Sequence, residues 1–292
     1  MSRSTVELPS GTVSYLTWTA DRAAPAVVLL HGGGVDSASL SWGDIGPRLA
    51  QAGYRVIAPD HPGYGRSAPA RLPVTQERLV AYVGELVDAL GLERYTIGGL
   101  SLGGGMTIGH VLARPDRVSG AMLLGSYGVM PRLSDGPFSG VRQLVTWAAL
   151  RTGLLGATTK WVGGNRRAMA RSMHALITDP KQLTDDLIDE VMAAAGKPGG
   201  FEAFGQWQRD QVKWNRLRTD YTARLGSVAC PVLIVHGDRD PGVPVARARA
   251  AAALIPDADL KVIAGAGHWV QRDRPGAVLD AMTEFLAATA TA

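Results

Sequence analysis

The sequence lacks most features of disulfide-rich, redox or membrane-spanning proteins. Cys230 is the only cysteine among the 292 residues, which excludes an internal disulfide, a cysteine metal cluster and a CxxC redox motif. No apolar stretch approaches the ~18 residues of a membrane span, and residues 1–11 lack the apolar core of a secretory signal. We therefore expect a soluble cytoplasmic protein with no membrane partner.

Charge runs and cofactor motifs are absent as well. The net charge of +4 comes from Arg residues spread among Asp and Glu, without a block of like charges. This distribution does not favour a nucleic-acid partner. Neither a Walker loop nor a GxGxxG motif follows the first strand, and no residues show metal-ligand spacing. We expect a small-molecule substrate and no cofactor or metal, while the pattern leaves a homo-oligomer open.

Two alternating patterns are present, and together they predict a sheet with crossover helices. Hydrophobic residues make up 46% of the chain, enough for a large core. Short β-branched runs predict strands, and stretches of helical spacing between them predict helices. The strands fall at 12–18, 26–30, 55–58, 95–97, 118–124, 231–235 and 260–263, and the helices at 76–90, 102–113, 246–254 and 275–286. We expect an α/β fold with a doubly wound, mostly parallel sheet, followed by a frayed tail from Ala287.

A long segment in the middle of the chain has a different character. From about Pro131 to Leu225 strand-type runs disappear, and apolar helical stretches are broken by Gly and Pro. We therefore divide the chain into a first core part (1–130), a helical insertion (131–226) and a second core part (227–292).

The strongest chemical motif is a GxSxG sequence between a predicted strand and a predicted helix. Ser101 stands at its centre, with Gly99 and Gly103 two residues away on each side. Small residues at these positions let the backbone double back sharply and expose the serine at the carboxyl edge of the sheet. The positive end of the following helix would stabilise a developing negative charge there. The motif predicts that Ser101 is a nucleophile.

Three segments together resemble the α/β-hydrolase superfamily: the HGGG stretch 31–34, the residues 55–67 and the GLSLGG stretch 99–104. The resemblance extends over nearly the whole chain except the insertion. It implies a helical cap, or lid, at the insertion. It also implies an oxyanion hole made by the backbone N–H groups of Leu102 and Gly33, with Gly34 as the alternative donor. Such donors bind the tetrahedral oxyanion better than the ground-state carbonyl.

The same resemblance assigns the other members of a catalytic triad. His268, in the GAGHW stretch after the last strand, lies where the superfamily places the base. Asp240 is the second acid of a loop resembling GxxDxxVP, and we expect it to orient the base. Asp238 and Asp60 are predicted to order their loops. The remaining histidines are expected to have structural roles or to lie on helices: His31, His61, His236, His110 and His174.

The substrate pocket is expected between the core and the insertion. Aromatic residues of the insertion, together with the residues beside the triad, are predicted to contact the substrate: Gly34, Trp147, Trp161 and Trp269.

The motifs resemble carboxylesterases, enol-lactone hydrolases and the meta-cleavage-product hydrolases that split carbon–carbon bonds. The last group usually has Asn before the nucleophile, where Leu100 stands here, and a lid Arg near Val191. We therefore expect an ester or lactone substrate. The alternatives are carbon–carbon hydrolysis, in which Arg166, Arg167 or Arg171 could replace the missing lid Arg, a receptor-like binding protein, and acyl transfer or perhydrolysis at Ser101.

Overall fold

The computed structural model describes residues 1–19, 21–197 and 199–290. Eight strands form one sheet in these residues. The strands are β1 (Ser2–Leu8), β2 (Gly11–Trp18), β3 (Ala26–Leu30), β4 (Arg55–Pro59), β5 (Tyr95–Leu100), β6 (Val118–Leu124), β7 (Val232–Gly237) and β8 (Ala258–Ile263).

The sheet is mostly parallel, in the spatial order β1-β2-β4-β3-β5-β6-β7-β8. Only β2 runs antiparallel to its neighbours, β1 and β4. The central strand β3 pairs with β4 and β5, so that Val28 lies beside Ile57 on one side and Ile97 on the other. Covered on both faces, these strands are apolar runs without alternation. The predicted doubly wound α/β fold is confirmed.

Helices cover both faces of the sheet. In chain order they are α1 (Ala38–Trp42), α2 (Ile45–Gln51), α3 (Gln76–Ala89), α4 (Leu102–Ala113), α5 (Ser139–Arg151), α6 (Leu154–Gly163), α7 (Arg166–Leu176), α8 (Asp185–Ala195), α9 (Glu202–Gln211), α10 (Val245–Leu254), α11 (Val270–Asp273) and α12 (Pro275–Ala290). The core on one face contains residues of α3, α4 and α10. The core on the other face contains residues of α1, α2 and α12.

Helices α5 to α9 lie between β6 and β7, and we call them the inserted helices. Two of them begin with a side-chain cap: Asn165 accepts a hydrogen bond from the Ala168 N–H, and Thr184 accepts one from the Leu187 N–H. Their apolar faces join the two cores, with Trp207 of α9 in one and Met173 of α7 in the other. The insertion is thus built against the edge of the sheet that carries Ser101.

The structure differs from the sequence-based expectations at both ends. Strand β1 was not predicted, because its pattern is polar and its partner is the neighbouring β2. The prediction that the chain frays from Ala287 is wrong for residues 287–290, because α12 continues to Ala290. Ala20, Pro198 and residues 291–292 lie outside the described residues.

Candidate active site

Ser101 occupies a strained turn between β5 and α4. Its φ of 50° and ψ of −111° lie in a region that residues with a side chain rarely adopt. Hydrogen bonds fix the turn: the Ser101 N–H donates to the Leu124 carbonyl at 2.8 Å, and the Ser101 carbonyl accepts from the Tyr127 N–H at 3.0 Å. Such strain, held by its surroundings, presents the hydroxyl at the end of the sheet.

The two glycines of the motif are required by close contacts. A Cβ on Gly99 would lie 2.3 Å from the Gly103 backbone, and a Cβ on Gly103 would lie 2.3 Å from the Leu30 carbonyl oxygen. Contacts this short with backbone atoms cannot be relieved by rotating a side chain. The GxSxG pattern therefore follows from how tightly β5, α4 and β3 meet.

Backbone N–H groups suited to an oxyanion stand on both sides of Ser101. Leu102 is the first residue of α4, where no preceding helical turn supplies an acceptor for its N–H. Gly33 follows β3, and its N–H has no acceptor among residues 1–19, 21–197 and 199–290. Both residues line the cavity that contains Ser101. Two free donors at this point can stabilise a tetrahedral oxyanion.

Asp36 fixes the loop formed by Gly32, Gly33 and Gly34 after β3, which we call the glycine loop. Its carboxylate accepts from the Gly32 N–H at 2.6 Å, the Ser37 N–H at 2.7 Å and the Ser41 hydroxyl at 2.7 Å. Burial raises the pKa of Asp36 to about 7, although these hydrogen bonds act in the opposite direction. The Ser41 hydroxyl oxygen accepts from the Trp269 ring N–H at 3.3 Å. A series of buried hydrogen bonds thus connects the glycine loop with Trp269, the residue after His268.

His268 and Asp240 form a hydrogen-bonded pair, with 2.7 Å between His268 Nδ1 and Asp240 Oδ2. The Asp240 side chain is fully buried, and its other oxygen accepts from the N–H groups of Gly242 and Val243. Burial acts to raise the pKa of Asp240, but the hydrogen bonds from His268 and Val243 outweigh it and keep the pKa below its ordinary value. The ionised carboxylate orients His268 so that Nε2 can accept a proton.

Asp238 does not contact His268. Its carboxylate accepts from the Gly265 N–H at 2.7 Å, which orders the loop before the histidine. Asp60 likewise braces loops, because it accepts from the Ala38 N–H and from the Arg3 guanidinium at 2.6 Å. Both contacts agree with the loop-ordering roles expected for these residues.

The loop that carries His268 is anchored by Asp273, a residue that the sequence did not single out. The buried carboxylate accepts from the backbone N–H groups of Gly267 (2.6 Å), Thr178 (3.0 Å) and Asp179 (2.8 Å). Burial acts to raise the pKa of Asp273, but these hydrogen bonds lower it overall. Asp273 therefore ties the His268 loop to the segment after α7.

The other buried histidines do not line the cavity, although His236 Nε2 lies 3.4 Å from Asp240 Oδ2. His31 Nε2 accepts from the His61 N–H at 3.0 Å, and the two rings stack with their centroids 3.8 Å apart. Burial lowers the pKa of His31 to about 3. His236 Nε2 lies 2.8 Å from the Val243 carbonyl oxygen, and burial lowers its pKa too. His110 packs against Tyr95, with 2.6 Å between Nε2 and the hydroxyl oxygen.

A cavity of about 480 Å³ joins Ser101 and His268 to the inserted helices. Its lining is mostly apolar and aromatic, with contributions from α6, α7, α8 and α9. Its lining includes Leu100, Leu102, Tyr127, Val191, Phe204 and Trp207. No Lys or Arg lines it in the part of the chain that the structure describes. The cavity suits an apolar ligand whose polar group lies at Ser101.

The predicted substrate-binding residues divide into two groups. Gly34 and Trp269 line the cavity, whereas Trp147 and Trp161 do not. Trp147 is partly buried against the hydrophobic core, and Trp161 is 62% exposed. Aromatic content alone could not separate these cases, because the face that each helix turns to the cavity depends on its packing.

Several cavity residues were missed by the sequence analysis. Phe204 lies directly over Gly33, since a Cβ on that glycine would come within 2.4 Å of the ring. Trp207 stacks on Phe204 and meets Tyr127 edge-on. The helical spacing of Phe204 and Trp207 indicates one shared face, but nothing in the sequence points that face at Ser101.

The arginines that could have replaced the missing lid Arg lie away from the cavity. Arg166 forms ion pairs with Asp185 and Asp189 of α8. Arg167 and Arg171 are exposed, and neither lines the cavity. Leu100 and Val191, which stand where the carbon–carbon hydrolases have Asn and Arg, are buried and do line it.

The described residues 1–19, 21–197 and 199–290 contain no cluster of three or more His, Cys, Asp or Glu that could hold a metal ion. None of the helices among these residues has the length and apolarity needed to cross a bilayer.

Comparison with known proteins identifies the family of this chain. Residues 25–275 match the family described as the alpha/beta hydrolase fold. The chain belongs to that family. A 2-hydroxy-6-oxononadienedioate/2-hydroxy-6-oxononatrienedioate hydrolase of Cupriavidus pinatubonensis is 29% identical to this alpha/beta hydrolase over 272 residues, covering 90% of this chain and 87% of that protein. A 2-hydroxy-6-oxo-6-phenylhexa-2,4-dienoate hydrolase of Burkholderia cepacia is 28% identical over 280 residues, covering 90% and 87%.

Solved structures share the fold of this alpha/beta hydrolase. A serine hydrolase involved in carbazole degradation superposes with a TM-score of 0.81 at 24% identity, covering 98% of this chain and 99% of that one. The family and its relatives together make this protein an enzyme, a hydrolase.

Proposed function

We propose that this hydrolase cleaves an ester or lactone of a small to medium, largely apolar substrate. The observation that carries the proposal is the cavity beside Ser101, which is apolar and lined by no Lys or Arg among the described residues. An ester needs only an apolar pocket above the oxyanion hole. A substrate carboxylate would have to leave water at a cost of several kcal/mol unless a charged partner met it.

In the proposed mechanism Ser101 attacks the ester carbonyl while His268 removes the hydroxyl proton. A serine hydroxyl is a weak nucleophile until a base takes its proton. His268 Nε2 is free for this task because Nδ1 is hydrogen-bonded to Asp240 at 2.7 Å. The negative oxygen of the tetrahedral intermediate accepts hydrogen bonds from the Leu102 and Gly33 N–H groups.

Collapse of this intermediate breaks the ester C–O bond, and His268 gives its proton to the leaving alkoxide. An acyl group then remains on the Ser101 oxygen. Water attacks the acyl carbonyl, His268 accepts the proton of that water, and the acid is released as the serine hydroxyl re-forms. For a lactone the same steps open the ring, and a single hydroxy acid leaves.

We further propose that residues 131–226 form a lid between the core segments 1–130 and 227–292. Helices α6 to α9 contribute cavity residues, as a lid would. With Cys230 as the only cysteine, folding requires no oxidising compartment, and a cytoplasmic location is part of the proposal.

Carbon–carbon hydrolysis of a meta-cleavage product is the second candidate. The observation in its favour is the name of the relatives, which include hydrolases of 2-hydroxy-6-oxo dienoates. Against it stand Leu100 and Val191, which offer neither an amide nor a cation to the dienoate end. Acyl transfer or perhydrolysis at the same serine, and a receptor-like role, have no specific observation in their favour.

The deciding experiment compares kcat/KM for a series of p-nitrophenyl esters, a lactone and a 2-hydroxy-6-oxo dienoate. We expect the best ester or lactone to exceed the dienoate by at least about 100-fold, or about 2.7 kcal/mol. Arg167→Ala should leave this ratio unchanged, because Arg167 does not line the cavity. A preference for the dienoate would overturn the ester proposal. Failure to turn over any substrate, with Ser101 unlabelled by a fluorophosphonate, would favour the receptor-like role.

A further inference from the structure

The outer side of helices α5 and α6 exposes an unusual amount of apolar surface. Of the ten large hydrophobic side chains that are exposed among the described residues, six lie between positions 138 and 161: Phe138, Val141, Leu144, Val145, Leu154 and Trp161. Phe138 is 77% exposed and Trp161 is 62% exposed. Single exposed apolar residues are ordinary, but a group of this kind on adjacent helices marks an interaction surface.

The exposed apolar residues of α5 do not result from poor packing of that helix. Val141 and Val145 are one turn apart on the outer face, whereas Gln143 and Leu150 are buried on the inner face. Gln143 bonds across to the chain after α9, where its amide N–H donates to the Lys213 and Arg216 carbonyl groups. The helix is therefore fixed to the protein on one side and remains apolar on the side that faces water.

Positive charge surrounds these apolar residues. Between Asp135 and Asp179 the chain contains six Lys and Arg and no Asp or Glu, and of these six only Arg166 forms ion pairs among the described residues, with Asp185 and Asp189. The chain as a whole has 30 bases and 26 acids, so the remaining residues carry two more acids than bases. Arg142, Arg151 and Lys160 are exposed on α5 and α6, and none has a carboxylate partner in the described part of the chain.

Helix α6 connects this surface with the active-site cavity. Thr158, Thr159 and Val162 line the cavity. Leu154 and Trp161 are exposed, and each lies within one turn of Thr158. By this spacing Leu154 and Trp161 share a helix face with Thr158, so the exposed apolar surface reaches a residue that lines the cavity.

We propose that the outer face of α5 and α6 docks on an anionic lipid surface. We call this face the α5–α6 patch: Phe138, Val141, Leu144, Val145, Leu154, Trp161, Arg142, Arg151 and Lys160. An apolar helix face flanked by Lys and Arg is the pattern that lies in the plane of a membrane interface, with the apolar side chains among the lipids and the cations at their anionic headgroups. A second copy fits less well, because two such patches would bring like charges together.

The test is flotation of the full-length protein with vesicles of phosphatidylglycerol and phosphatidylcholine, compared with phosphatidylcholine alone. We expect binding to the anionic vesicles, little binding to the neutral ones, and loss of most binding in high salt. The double variant Arg142→Glu and Lys160→Glu should weaken the partition by at least about 25-fold, since each cation contributes about fivefold. The triple variant Val141→Ser, Val145→Ser and Leu154→Ser should also release the protein.

Matched controls use exposed residues outside the patch. Arg249→Glu changes an exposed, unpaired arginine of α10, and Leu254→Ser changes a leucine that is 44% exposed. Both should bind vesicles like the unchanged protein, and every variant should retain its hydrolysis of a soluble ester. Equal binding to neutral and anionic vesicles, or no binding to either, would overturn the proposal. So would a dimer, measured by light scattering, that the triple variant abolishes, because the patch would then be a self-association surface.

Discussion

Ser101 combines a strained backbone conformation with the proposed role of nucleophile. Its positive φ costs roughly 1–3 kcal/mol and persists only because the surrounding hydrogen bonds and close backbone contacts fix the turn. This conformation puts Ser101 on the wall of the cavity that Leu102 and Gly33 also line. Because the strain lies in the backbone, only a residue that tolerates a positive φ should relieve it and stabilise the protein; removing the hydroxyl alone should not.

We expect Ser101→Ala to abolish ester turnover and fluorophosphonate labelling. His268→Ala should cost about as much and Asp240→Asn somewhat less, with losses of roughly 10³–10⁶ in kcat, because the three residues act as a unit. Ser101→Gly should be equally inactive but melt at a higher temperature than Ser101→Ala, since glycine tolerates the positive φ. Asp238→Asn is the control and should keep most activity; an inactive Asp238→Asn beside an active Asp240→Asn would show that the acid is misassigned.

Asp36 is a positioning residue that acts through the backbone of the glycine loop. Asp36→Asn would place an amide NH₂ in one of two positions: against the Ser37 N–H, or against the Gly32 N–H and the Ser41 hydroxyl together. Each of these donors needs an acceptor. We expect kcat to fall about tenfold or more with little change in KM, because the Gly33 N–H in its proposed role would stabilise the transition state rather than the ground state. Asp44→Asn, which removes a surface partner of Arg48, should leave kcat unchanged. A rise in KM alone would contradict this role.

At the scale of the element, helix α9 is the inserted helix most closely tied to the core. The Trp207 ring N–H donates to the Gln76 amide oxygen of α3 at 2.8 Å, and both side chains are buried. On the same helix Phe204, Trp207, Gln208 and Gln211 line the cavity. One buried hydrogen bond therefore helps set the position of the cavity wall above Gly33.

We expect Trp207→Phe to lower stability and raise KM. The substitution leaves the Gln76 oxygen buried without a donor, which costs about 1–3 kcal/mol, and a chain of this size loses about 2–4 °C in Tm per kcal/mol. The KM effect should follow because the cavity wall loses its anchor. Trp214→Phe, at a site that is 61% exposed, is the matched control for both thermal melting and kinetics. Equal effects of the two changes would argue against the anchoring role.

At the scale of the whole molecule, buried histidines should make the fold sensitive to acid. Burial lowers the pKa of His31 to about 3 and that of His110 to about 4, from an ordinary value of 6.5. Such groups take up protons on unfolding. Their contribution to the free energy of unfolding is therefore present above pH 6.5 and is lost as the pH falls toward 4. Asp36, with its pKa raised from 3.8 to about 7, has the opposite effect: its contribution is present below pH 3.8 and is lost as the pH rises through 7.

Between pH 7.5 and pH 5 each histidine acts over about 1.5 pH units and Asp36 over about 2 units. At about 1.4 kcal/mol per unit, the two histidines then cost roughly 4 kcal/mol on acidification and Asp36 offsets roughly 3 kcal/mol, so the histidines dominate. We therefore expect the free energy of unfolding in urea to be lower at pH 5 than at pH 7.5. His110→Gln, which keeps a hydrogen-bonding group near Tyr95, should reduce this difference. His174→Gln, on the exposed side of α7, should not. A free energy that is constant over this range would contradict the dominance of the buried histidines.

The sequence by itself determined the parallel core of this protein. Strands such as Ala26–Leu30 can be read from one apolar run because both faces are buried, and the helix after Ser101 ends as expected before Pro115. The pairing of His268 with Asp240 rather than Asp238 also agreed with the resemblance to the hydrolases. These features depend on local pattern or on motifs whose spacing is fixed by the fold.

Other features were decided only by tertiary structure. The polar strand β1 forms because β2 offers it an edge, and its Arg3 pairs with the buried Asp60, 57 residues away along the chain. The carboxylates of Asp36 and Asp273 organise the site through backbone N–H groups that the fold brings to them. Whether Trp161 or Phe204 faces the cavity depends on how each inserted helix is rotated against its neighbours. Two aromatic residues on amphipathic helices give the same sequence pattern, and only packing buries one of them and leaves the other in water.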